Sequence, residues 1–125
     1  MSRLIVIGEA DREDNWDDSP MNSVYFAKMI PRTGDFTGDE VADLLLENSV
    51  HVGYRNWDVL CSAAGLSGGP YNSRADGCYP LSESDYKQIC ESIPRLSGWT
   101  LNIAFWMRHW IRWALDNCER PAISV

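Results

Sequence analysis

LNIAFWMRHWIRWALDN, residues 101–117, carries three of the chain's six tryptophans on a helical repeat. At about 100° per residue, Ile103, Trp106, Met107, Trp110, Ile111, Trp113, Ala114 and Leu115 fall on one arc wider than half the helix circumference. A helix that apolar must be covered on two sides, so this segment is expected to be the main element of the core. Its remaining sector holds Asn102, Arg108, His109, Arg112 and Asp116, with Phe105 in the middle as an exposed ring among them. Pro121 to Val125 follows as a short edge strand.

Working back from that helix, Ser82 and Asp85 sit at the spacing of a capping box, with Leu81 and Tyr86 at the positions of a hydrophobic staple. A second helix should therefore run to about Ser92, before Pro94. Residues 66–80 are rich in Gly, Pro, Asn and Ser and read as a loop, long enough to be functional or mobile. Within it, Cys78 lies near Arg74 and is the most plausible reactive thiol of the four cysteines. Asn56 can cap a short helix through Ala64, with Gly65 as its C′ stop and Leu66 folding back.

Ser49 to Tyr54 alternates apolar Val50, Val52 and Tyr54 with other residues and reads as a half-buried strand. Leu4 to Ile7 is a continuous, mostly β-branched run and reads as a buried one. Thr37 and Glu40 form another capping box, with Phe36 and Val41 as its staple, so a helix is predicted over about 38–48. The segment between Ser19 and Ile30 fits both helical spacing and strand propensity, with strand preferred. The fold class that follows is α+β: one domain over residues 1–125, a small sheet packed against the Trp-rich C-terminal helix and two or three shorter helices.

Charge is distributed unevenly. Residues 1–50 hold 11 acidic and 4 basic side chains, whereas residues 51–125 hold 7 of each, so the net −7 belongs wholly to the first half. A concentrated negative field favours cationic partners and argues against direct binding to nucleic acid or anionic lipid. No apolar run approaches a membrane span, and the N-terminal one is too short for a secretory signal. The expectation is a soluble cytoplasmic protein with free thiols.

Three features bear on function. Asp11, Glu13, Asn15 and Asp17 place oxygens at alternate positions, as an EF-hand loop does, but Trp16 replaces its glycine and Asn22 its final Glu. No metal or other cofactor is therefore assigned. Asp39, Asp43 and Glu47 are spaced to line one helix face with no interleaved Lys or Arg, at a like-charge cost of about 0.2–0.5 kcal/mol per neighbour. Phe105, Arg108, His109 and Arg112 form a second patch, suited either to internal ion pairs such as Arg112–Asp116 or to self-association as a homodimer. No nucleophile, dinucleotide or phosphate-loop motif is present.

The function class these features favour is a non-enzymatic inhibitor, immunity or anti-defence protein that occludes the basic surface of a partner protein. Asp11, Glu13, Asp14, Asp17, Asp18, Asp39, Asp43 and Glu47 would supply the field, and Trp16 the desolvated anchor. Two alternatives stay open: a small-ligand or divalent-metal protein, or minor enzyme, using the 66–80 loop as a lid, and a self-associating structural subunit.

Overall fold

The computed structural model describes residues 2–10, 24–25, 45–72 and 76–125. The Leu4–Ile7 run lies inside a longer strand, β1 (Ser2–Ala10), because partners are available along its whole length. Those partners are β2 (Val24–Tyr25), β3 (Ser49–Gly53) and β5 (Pro121–Ser124), while β4 (Cys78–Pro80) pairs with β5. Every pairing is antiparallel.

The register fixes which strand lies where. Val6 is opposite Ser49 on one side and Ser124 on the other, and Glu9 is likewise flanked by Tyr25 and Pro121. Strands β2 and β3 therefore share one side of β1, with β5 on the other side and β4 beyond it. The closing segment is not the edge strand its sequence suggests. It is held between β1 and β4, and its leading proline falls at the first strand position, where a missing N–H is tolerated.

Alternation then assigns the faces. Ile5, Ile7, Val50, Val52 and Ile123 enter the main core with Trp57, Leu60, Ile89, Trp106 and Trp110. The opposite face carries the small residues Ala10, Cys78 and Ala122 as a second buried cluster.

Among the described residues, three helices cover the main face: α1 (Tyr54–Ala63), α2 (Glu83–Ser92) and α3 (Gly98–Asn117). Helix α1 is entered at Gly53 without a side-chain cap, three residues before the expected Asn56 cap. It ends as expected. Gly65 has φ +69°, its N–H donates to Ser62 O, and the Leu66 N–H reaches back to Cys61 O at 2.9 Å. That pair of bonds is a Schellman motif, and it buries Leu66. In α2 the Asp85 carboxylate accepts the Ser82 N–H at 2.7 Å, closing the capping box.

Helix α3 buries Ile103, Ala104, Trp106, Met107, Trp110, Ile111, Trp113 and Ala114. This is the arc read from the sequence, with Ala104 added and Leu115 only half-buried. The α+β class stands, and a Trp-rich C-terminal helix is its central element.

Candidate functional site

Glu47 is the one acidic candidate that lies among the described residues; Asp11, Glu13, Asp14, Trp16, Asp17, Asp18, Asp39 and Asp43 lie outside them. Its turn is held from two directions. The indole N–H of fully buried Trp106 donates to the Glu47 carbonyl at 2.8 Å. Next to it, Asn48 is 3% exposed, and its amide donates to Ile7 O at 2.9 Å while its own carbonyl accepts the Ile7 N–H at 3.0 Å. The Glu47 side chain itself is exposed. Residues 45–48 are consequently a turn and not the last coil of a helix, which corrects the expected 38–48 boundary. Asn48 is already bonded to Ile7 of β1, so its backbone carbonyl is not part of a helical ladder, and Glu47 stands on a turn and not on the helical face expected for it.

Glu9, also from the acid-rich run, has a structural task. Its carboxylate accepts the backbone N–H of Glu119 at 2.9 Å and of Arg120 at 2.6 Å, where the chain leaves α3 for β5. Beside it, burial and then the Glu9 charge push the Cys118 thiol up to about 11.

The second candidate patch divides in two. Arg112 is engaged inside the fold: its guanidinium meets both Glu83 oxygens at 2.9 and 2.8 Å and Asp116 at 2.9 Å, and it lies 4.8 Å over the Tyr86 ring. This is the internal pairing that the i, i+4 spacing offered, reinforced by a bidentate clamp from α2 that spacing could not reveal. The Arg112 hydrogen bonds hold the Glu83 carboxyl below its ordinary range. Arg108 is different. Its guanidinium lies 5.1 Å over the Phe105 ring, and among the described residues no carboxylate is within ion-pair distance of it. Phe105 is half-buried against the core and not the exposed ring expected. His109 packs edge-on to Trp110 at 5.6 Å.

The 66–80 loop is tied down over its described part. Trp57 Nε1 donates to Pro70 O at 3.1 Å, the Tyr71 ring stacks on Trp57, and the Tyr71 hydroxyl donates to Asp85 at 2.6 Å. Burial, then the Asp85 charge, drive the Tyr71 phenol far above its ordinary range. Cys78 is not a loop thiol: it sits in β4 with no exposed surface, which removes the basis for a reactive role. Cys61 is also buried, and burial pushes its thiol up to about 12. Among the described residues no group of three or more His, Cys, Asp or Glu side chains is placed to hold a metal ion. None of the helices among them is long and apolar enough to cross a membrane.

Compared with models of protein families, with curated proteins and with solved structures, the chain finds no match in any of the three.

Proposed function

We propose that this chain is a non-enzymatic binding protein that covers the basic working surface of a partner protein, as an inhibitor, immunity or anti-defence protein does. The carrying observation is the charge map: an excess of seven carboxylates confined to the first fifty residues, beside a neutral second half. A field of that kind raises the rate of encounter with a cationic surface and disfavours acidic competitors. Two structural details support the reading. Arg112 of α3 is occupied by Glu83 and Asp116 from its own half of the chain. Glu47 stands exposed on a turn fixed to the core through Trp106, so its charge is presented from a rigid support.

Targets of suitable chemistry are nucleases, toxins and nucleic-acid-guided complexes, whose substrate channels are positive. In this reading the acidic residues steer and orient, and Trp16 supplies the apolar anchor that lowers the dissociation rate. The test is a titration against a panel of basic nucleases at about 20 mM and about 300 mM salt, where screening lengths differ several-fold. The reading expects inhibition that weakens at high salt and that fails in the double variant Asp39→Lys/Asp43→Lys. Binding indifferent to both would overturn it.

A further inference from the structure

Residues 68–72 form a small unit of their own beside α1. The Tyr71 N–H donates to Gly68 O at 3.0 Å and the Asn72 side-chain amide to Gly69 O at 3.2 Å, so the turn is knit internally. Side chains tie it to the rest of the fold. Trp57 Nε1 donates to Pro70 O, the Tyr71 hydroxyl to Asp85, and the Arg3 guanidinium to Asn72 O at 3.0 Å. Gly68, Gly69 and Asn72 are exposed, and no residue of the turn belongs to a helix or strand. A segment with exposed backbone and few buried apolar groups sits at the low end of the range of local stabilities.

Under the turn lies an apolar surface that includes a thiol. Trp57 and Cys61 are spaced i, i+4 on the buried face of α1. The Tyr71 ring stacks on Trp57 with centroids 6.4 Å apart, and Cys61 is close enough to bear electrostatically on the Tyr71 phenol. The joint at the start of the turn is Gly68. It has φ +78°, and a Cβ added there would meet nothing within 4 Å, so this joint has room to swing. Leu66, just before it, is anchored: it is buried, and its N–H is bonded to Cys61 O.

We propose that residues 68–72 are a strap that swings open about Gly68 while the sheet and the three helices stay folded, uncovering Trp57 and Cys61. Tyr71 is its latch. Asp85 divides its two oxygens: one accepts the Tyr71 hydroxyl, and the other accepts the N–H and hydroxyl of Ser82. The latch can therefore release while the capping box of α2 stays closed. Opening frees the Trp57 N–H and one Asp85 oxygen together. It also uncovers the Cys61 thiol, which burial pushes up to about 12 in the closed form and so keeps inert toward electrophiles. The strap is thus a gate over that thiol, and it uses none of the carboxylates of the first fifty residues.

Labelling of the full chain with N-ethylmaleimide across a urea series, read at Cys61 by peptide mass spectrometry, tests this. Global unfolding is followed in parallel by circular dichroism. The Cys61 rate should stay nearly flat until global unfolding begins, because opening so short a segment exposes little surface. Tyr71→Phe keeps a ring on Trp57 but loses the bond to a charged acceptor, and should speed Cys61 labelling on the order of tenfold. Asn48→Ala lowers global stability, yet the bond it breaks, to Ile7, lies outside the strap. Its Cys61 rate below the unfolding transition should therefore equal that of the unaltered chain. A Cys61 rate with the full urea dependence of global unfolding overturns the inference. So does a rate raised by Asn48→Ala in step with global unfolding, or one untouched by Tyr71→Phe.

Discussion

Asn48 fills the gap between β2 and β3 on their shared side of β1, where no strand residue faces Ile7. Its backbone carbonyl takes the Ile7 N–H and its side-chain amide takes the Ile7 carbonyl, so one residue does the work of a missing strand partner. A buried carbonyl stripped of its donor costs about 1–3 kcal/mol. Asn48→Ala is therefore expected to lower unfolding stability by that amount in urea, with little change in m-value. A loss below a few tenths of a kcal/mol would contradict the assignment. Nothing in the sequence marks this role. Asn48 falls at the end of the helix expected over about 38–48, and its partner is 41 residues away. The bidentate grip of Glu83 on Arg112 was hidden for the same reason: spacing exposes pairs within one helix, not across two.

Elements whose signals are local were legible. The Ser82–Asp85 box, the Gly65 stop and the tryptophan arc of α3 each rest on residues within two or three turns of one another, where short-range geometry decides. The strands β1 and β3 were legible from their apolar runs, whereas the place of β4 and β5 was not, because distant partners decided it. Gly77-Cys78-Tyr79-Pro80 reads as a turn, yet it becomes β4 because Val125 and Gly77 exchange two backbone bonds and extend the pairing with β5. The closing segment moved from edge to interior by the same non-local cause. Gly65 offers a check on the local account. An added Cβ there would meet only Gln88 Nε2 at 3.9 Å, an ordinary contact, so any cost of Gly65→Ala comes from the φ of +69°. The left-handed region disfavours L residues by about 1–2 kcal/mol, partly offset by a stiffer unfolded chain. The expected net loss is about 1 kcal/mol in thermal or chemical unfolding, and a gain in stability would contradict the Schellman reading of this helix end.

For the molecule as a whole, the α+β class could be read before the structure because one helix announced the core and two short strand signals announced a sheet. The candidate site was less legible. Composition located the charge in the first half, but only packing separates a carboxylate with an internal task, such as Glu9 at the β5 entrance, from one turned outward, such as Glu47. Likewise, sequence placed Arg108 and Arg112 together, and only the second proved to be structural. The proposed function asks the acidic first half to meet a cationic surface, while the tryptophans of the second half pack the core against β1 and β3. The most direct measurement is an NMR titration of the isotopically labelled chain with an oligolysine peptide at about 20 mM and about 300 mM salt. Chemical-shift changes concentrated between residues 9 and 47 and abolished at the higher salt are the predicted result. Changes spread evenly along the chain, or insensitive to salt, would contradict it.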